Sequence, residues 1–198
     1  VNYLAHLWLA EQAGLPLPGA ILGDMVHGRL DGRFAPPLER SIRLHRRIDV
    51  LTDAHPLLLD ARQAYAPGAR RYAGIVLDIV HDHCLALDWA RYSGESLPDF
   101  ARRCAELLAA EREGFRLAGR SAPPAWRFRR LLLSYAGERG IDRALRRTAA
   151  WMRRPEGLLQ AGRDWRQRLP QAQAGLPQLL EDLRRGALEF VRETAEAL

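Results

Sequence analysis

Residues 69–92 read ARRYAGIVLDIVHDHCLALDWARY. Ile75, Leu77, Ile79, Val80, Leu85 and Leu87 are too many apolar side chains for an exposed helix, and no strict alternation separates them from the ionisable residues between. The stretch predicts one long helix over Ala69 to Tyr92, central to the fold. Working outward, helical periodicity continues on both sides. Asn2 is a capping residue for a helix through Leu4, Leu7, Trp8 and Leu9 that should end near Gly14 and the Pro16/Pro18 pair. A second helix is expected from Gly19 to His27, a loop over Leu30 to Pro37, a strong helix from Leu38 to Asp53 and a short one from Leu57 to Tyr65, closed by Pro67-Gly68. Beyond the turn at Ser93 to Ser96, helices are expected over Leu97 to Leu117, Trp126 to Ala136, Ile141 to Met152, Leu158 to Leu169 and Leu176 to Ala197. With no sustained period-two pattern, the fold class is all-α, a helical bundle forming a single domain over residues 1–198.

The composition agrees with one globular domain: 198 residues, 47% hydrophobic and 27% charged. No apolar run approaches the ~20 residues that span a bilayer, and the opening VNYLAHLWLA lacks the basic n-region of a secretory signal. The expected setting is cytoplasmic, away from the membrane. Cys84 and Cys104 form neither a C-x-x-C pair nor a disulfide framework, which suits a reducing compartment. Every one of the 30 basic residues is arginine, and their distribution is uneven. Residues 1–99 hold 10 Arg against 12 acids, a net −2, whereas 100–198 hold 20 Arg against 12 acids, a net +8. The basic half suits an acidic partner, whether a nucleic acid, a phosphate-bearing ligand or an acidic protein.

All six histidines fall within the first 83 residues, so the first 90 are where the chemistry is expected. His45 and Asp49 are four apart on one helix and project from one face. Asp78, His81 and Asp82 stand at i, i+3 and i+4 on the long helix, with His83 adjacent. Two carboxylates one turn apart on a buried helix repel each other, so Asp78 and Asp82 require a cation or an arginine between them. His6 in LAHLWLA and Asp24 in AILGDMV sit on apolar segments, where each must find a partner or a metal. Imidazole with carboxylate and no thiolate suits Mn²⁺, Fe²⁺ or Zn²⁺. Such an ion polarises a phosphoryl oxygen and acidifies water, which points to phosphoester hydrolysis. The bland alternatives are an ion pair for His45 and Asp49 and satisfied core positions for His6 and Asp24. His27 and His55 flank helix breakers and read as loop or cap residues. Arg46 and Arg47 offer guanidinium forks to a phosphate, or pair with Asp49, Asp53 or Glu39. Arg143, Arg146 and Arg147, with other arginines downstream, form a basic stripe for partner docking. A nucleic-acid surface is the competing reading of that stripe, although aromatic residues are not interleaved with the arginines as a base-stacking platform requires.

Asn2-Tyr3-Leu4-Ala5-His6-Leu7, Gly23-Asp24-Met25-Val26, His45-Arg46-Arg47-Ile48-Asp49 with Thr52-Asp53, and Asp78 followed by Asp82-His83 resemble, in order and spacing, the acyl carrier protein phosphodiesterase family, a divergent branch of the HD-type phosphohydrolases. The resemblance spans about the first 90 residues; the C-terminal half agrees only in length and helical character. It implies an HD-like helical enzyme that uses a divalent metal, foremost Mn²⁺, with Mg²⁺, Fe²⁺ or Co²⁺ as alternatives. Its substrate would be holo acyl carrier protein, cleaved to apo acyl carrier protein and 4′-phosphopantetheine. A nucleotide or another phosphodiester is the alternative substrate for the same kind of site. Carried over by position, the resemblance implies His6, Asp24, Asp78, Asp82 and His83 as metal ligands, with His6 a ligand or an orienter of one. It further implies His45 and Asp49 as catalytic residues, His45 as general acid or base, and Arg46 and Arg47 at the phosphate. It selects His83 over His81 as the partner of Asp82.

Overall fold

The computed structural model describes residues 2–195, and among these every regular element is helical. The all-α expectation holds. Eleven α-helices run in chain order: α1 (Tyr3–Gln12), α2 (Leu17–Leu22), α3 (Pro36–Ala54), α4 (Pro56–Gln63), α5 (Arg70–Leu87), α6 (Leu97–Ala110), α7 (Arg112–Leu117), α8 (Ala125–Ser134), α9 (Glu138–Ala149), α10 (Pro155–Ala161) and α11 (Trp165–Ala195). A short 3₁₀ turn, Trp89–Arg91, follows α5.

The stretch at 69–92 is the hub. α5 packs against α1, α4, α9, α10 and α11, and twelve of its side chains, from Tyr72 to Ala86, are buried. It stops at Leu87 rather than Tyr92, with the N–H of Asp88 bonded back to Cys84. Each of the eleven helices contributes to one continuous apolar core.

Three expected boundaries differ for identifiable reasons. The second helix ends at Leu22 instead of His27, because residues 23–26 turn, with the amides of Met25 and Val26 both bonded to the carbonyl of Leu22. The helix expected over Leu97 to Leu117 is broken at Glu111, whose backbone leaves the helical region and whose carboxylate then caps α7 by accepting from the Gly114 amide at 3.0 Å. At the C-terminus the helix expected over Leu158 to Leu169 is broken after Ala161, where α10 ends, and the gap expected between Leu169 and Leu176 is helical, so that α11 runs from Trp165 through Pro170 and Pro177. Each interior proline removes a backbone bond and costs ~3 kcal/mol. Burial of Ala172, Leu176, Leu179, Leu180, Leu183 and Ala187 on a helix packed against α3 and α5 outweighs that cost. The expected end at Ala197 lies outside the described residues. No described helix is long and apolar enough to cross a membrane.

Candidate active site

α2 and α3 approach through two glycines. A Cβ on Gly19 would lie 2.3 Å from the Cβ of Ser41, and a Cβ on Gly23 would lie 2.1 Å from Cγ of His45. Gly19 and Gly23 are one turn apart, as are Ser41 and His45, so the backbone of α2 and its following turn lies directly on the Ser41/His45 face of α3. This contact buries the His45 ring and brings its Nδ1 to the carbonyl of Ala20 at 2.7 Å. A carbonyl only accepts, so Nδ1 carries the proton and donates, and Nε2 faces away from the core.

Two carboxylates converge on that nitrogen, and a second imidazole stacks on the ring. Asp49, one turn along α3, reaches His45 Nε2 at 3.2 Å with Oδ2 and His6 Nε2 at 3.1 Å with Oδ1. Asp24, delivered by the turn after α2, lies 3.4 Å from His45 Nε2. The His6 and His45 rings stack at 4.0 Å. Both rings are buried, while the carboxylates of Asp24 and Asp49 are half-exposed toward a cavity of about 250 Å³. Asn2, His6, Asp24, Asp49, Thr52, Asp53 and Asp78 line it.

The protonation states follow from this packing. Burial and the neighbouring His45 charge push His6 down to about 4, with the Asp49 bond pulling the other way. Burial would lower His45 as well, but its bonds to Asp24 and Asp49 prevail and raise it to about 9. Burial works to raise Asp49, yet the two imidazoles hold it well below the usual carboxylate range. Asp78 is raised by burial. Without a cation, the cluster is a neutral His6, a protonated His45 and an ionised Asp49. One ligand atom from each of the three lies within 4.8 Å of the others, close enough to hold a metal ion in place of the proton.

The structure thus joins residues that were read separately. His6, Asp24, His45 and Asp49 meet at one point, and Asp78 faces the same cavity from α5. Asp82 and His83 do not line it. Asp82 lies under the start of α1, where its carboxylate accepts from the amides of Asn2 at 3.1 Å, Leu4 at 2.7 Å and Ala5 at 3.1 Å. It satisfies the helix N-terminus that Asn2, whose side chain serves the Tyr3 amide, leaves open. Burial pushes its carboxyl up to about 7, while those amides pull it back toward the ionised form. The repulsion expected between Asp78 and Asp82 is therefore relieved separately on α5: Asp82 turns to backbone amides and Asp78 to the cavity. His83 sits in the core, with Nδ1 2.5 Å from the carbonyl of Tyr135 and its ring edge-on to Trp165. His81 is also buried outside the cavity, so the adjacent His81-Asp82 pair forms no part of the cluster.

The arginines are redistributed in the same way. Arg46 forks onto the carbonyls of Gly28 at 2.8 Å and Val26 at 2.6 Å, pinning the segment that carries Asp24. Arg47 is exposed and outside the cavity lining. Arg143 and Arg147 line a separate groove, and Arg146 is exposed beside it without lining it. His55 is a cap, accepting from the Leu57 amide at 3.3 Å. The cavity residues absent from the sequence-derived set are Asn2, Thr52 and Asp53. Asp53 was within reach of periodicity, since His45, Asp49 and Asp53 follow an i, i+4, i+8 stripe.

Comparison with known sequences bears on what this cavity does. The family model for acyl carrier protein phosphodiesterase matches residues 1–183. The chain belongs to that family. Among curated phosphodiesterases of that name, the Photorhabdus laumondii protein is 45% identical over 101 residues, covering 50% of this chain and 51% of the relative. The Yersinia enterocolitica protein is 43% identical over 101 residues, covering 50% and 52%. The Escherichia coli strain HS protein is 43% identical over 100 residues, covering 50% of each chain. The chain thus aligns with about half the length of the curated phosphodiesterases it matches. No solved structure matches it.

Proposed function

We propose that this protein hydrolyses the phosphodiester joining 4′-phosphopantetheine to the serine of holo acyl carrier protein, yielding apo acyl carrier protein and 4′-phosphopantetheine, with a divalent cation held by His6, His45 and Asp49. The observation that carries the proposal is the convergence of two buried imidazoles and a carboxylate within 4.8 Å, in a cavity walled by Asp24, Asp49, Asp53 and Asp78.

The donor set fits a cation. His45 Nδ1 is committed to a backbone carbonyl, the usual way in which a ligating histidine is oriented and its other nitrogen turned outward. Imidazole and carboxylate without thiolate suit Mn²⁺ or Fe²⁺, and Mn²⁺ is the ion we assign. Asp24 and Asp49 share a single protonated imidazole, so two half-exposed carboxylates face one positive charge and would repel a phosphodiester anion unless a cation cancelled the excess. When bound, the cation supplies that charge and acts as a Lewis acid toward phosphoryl oxygen and water.

The chain's own groups provide the geometry. Asp49 ties His6 on α1 to His45 on α3, Asp24 adds a carboxylate from the turn that Arg46 pins, and Asp78 adds one from α5. In this arrangement His45 and Asp49 act through the metal rather than as a free acid–base pair. The HD-like character resides in ligation by dispersed histidines and aspartates, not in the literal His81-Asp82 pair.

The test is incubation of purified protein with holo acyl carrier protein and Mn²⁺, read by mass spectrometry of the carrier. Conversion to the apo form, abolished by EDTA and by Asp49→Asn, is the expected result. Undiminished conversion in EDTA would refute the metal. Cleavage of nucleotide diesters with none of the carrier protein would refute the substrate.

A further inference from the structure

Helices α8 and α9 enclose a groove of about 570 Å³ that meets α1 at Tyr3, the residue next to Asn2 in the wall of the metal cavity. The ring of Tyr3 packs on Phe128 at 6.3 Å within the groove, and Tyr3 feels the charges of both Asp24 in the cavity and Arg147 in the groove, so it stands between the two concavities. Trp126 lines the groove with 68% of its surface exposed, an unusual position for the largest side chain. Arg127 and Arg130 of α8 and Arg143 and Arg147 of α9 line it as well.

Those arginines lack acidic partners. Residues 120–154 carry ten arginines and two acids, Glu138 and Asp142. Both acids are taken by Arg166 of α11, at 2.8 Å and 3.2 Å, and Asp142 also accepts from the Trp165 indole at 2.9 Å. Among the described residues, the four groove arginines make no ion pair and converge on one concavity, whereas Arg103, Arg116, Arg166 and Arg184, which have acids within reach, are paired. A pantetheine arm is neutral along its amides and gives four guanidinium groups nothing to neutralise. An acidic protein surface does. Exposed Trp and Arg together are the side chains that dominate protein–protein hot spots.

We propose that the α8–α9 groove docks the acidic face of the carrier protein, with Trp126 as apolar anchor and Arg127, Arg130, Arg143 and Arg147 as the charge clamp, so that the modified serine lies over the adjoining His6/His45/Asp49 cavity. The proposal rests on the assigned carrier-protein substrate and adds where that substrate binds. It makes recognition of the protein separable from cleavage of the diester, since no groove residue other than the boundary at Tyr3 adjoins the metal cavity.

The experiment measures binding apart from turnover: fluorescence anisotropy of labelled acyl carrier protein with the full chain in EDTA, and in parallel KM and kcat for holo carrier protein with Mn²⁺. The Arg127→Glu/Arg130→Glu double variant and Trp126→Ala are each expected to weaken binding and raise KM by ~10-fold or more. Arg192→Glu, an exposed arginine of α11 with the same charge change, is expected to alter neither. Circular dichroism melts verify that the variants are folded. Parental affinity in both groove variants would overturn the docking proposal even if turnover upheld the activity. Groove-dependent binding without turnover would uphold the docking and refute the activity. Failure of the parent to bind the carrier protein would overturn the docking too, and capture on vesicles of equimolar phosphatidylcholine and phosphatidylglycerol would then assign the arginines to a membrane surface.

Discussion

Gly23→Ala is a one-carbon change that tests how the site is built. The new Cβ would lie 2.1 Å from Cγ, 2.2 Å from Cδ2 and 2.6 Å from Cβ of His45, where unstrained carbon contacts need ~3.5 Å. Relief requires more than 1 Å of movement (roughly, from that contact distance). The ring cannot supply it, because His6 stacks at 4.0 Å and Nδ1 is held to Ala20 at 2.7 Å. Ala20 belongs to α2 itself, so lifting α2 away breaks the same bond. Overpacking costs ~1–3 kcal/mol and the hydrogen bond about 1 kcal/mol more. For a chain of this length the melting temperature should fall by ~5–15 °C. With the ring no longer oriented, Mn²⁺ affinity should drop ~10–100-fold. Gly19→Ala makes a comparable clash with Ser41 at 2.3 Å one turn away, and should cost similar stability with a smaller loss of metal affinity. Gly94→Ala, with nothing within 4 Å, is the control. The assays are differential scanning calorimetry without metal and isothermal titration with Mn²⁺. Parental melting temperature and parental Mn²⁺ affinity in Gly23→Ala would refute the reasoning.

Four further predictions concern the cluster and its supports. Asp82→Ala strands two fully buried amides of α1 and should cost ~2–4 kcal/mol in urea unfolding; a variant as stable as the parent that has lost Mn²⁺ binding would instead make Asp82 a ligand. In EDTA, the stability due to protonated His45 is complete below its unfolded value of 6.5 and is lost as pH rises through about 9. The stability due to neutral His6 is present above 6.5 and is lost as pH falls toward about 4. On the acid side the raised Asp82 opposes the His6 contribution, so the alkaline arm is the diagnostic one: the metal-free protein should lose stability as pH rises from 6.5 through about 9, and a profile that rises steadily up to pH ~10 would contradict the assignment. Because the metal replaces the His45 proton, calorimetry in buffers of different ionisation enthalpy at neutral pH should register about one proton released per Mn²⁺, and no release would exclude His45 as a ligand. Arg46→Ala frees the carbonyls of Val26 and Gly28 and should weaken Mn²⁺ binding through Asp24 with little effect on global stability, a split that hydrogen exchange over residues 23–28 would localise.

Periodicity was sufficient for most helices because burial of one face is a local, repeating demand. It failed where a distant contact outweighed a local rule, as when apolar packing on α3 and α5 carried α11 through Pro170 and Pro177. It also failed where one residue's backbone decided the outcome, as at Glu111 between α6 and α7.

The sequence by itself determined the residue types of the candidate site, the half of the chain that holds it and the family. All six histidines lie in the first half with aspartates at helical spacings beside them, a pattern competent to hold a metal before any fold is known. Only the tertiary structure decided which of them meet. Asp78 and Asp82 are equivalent by spacing on α5, yet one faces the cavity and the other caps α1, because a buried carboxylate goes to the donors that the neighbouring helix leaves unsatisfied. His6 and His45 are 39 residues apart on different helices, and their rings stack because the glycine contact between α2 and α3 sets the position of one and the seating of α1 on Asp82 sets the other. That convergence is a property of helix packing, which no local spacing encodes.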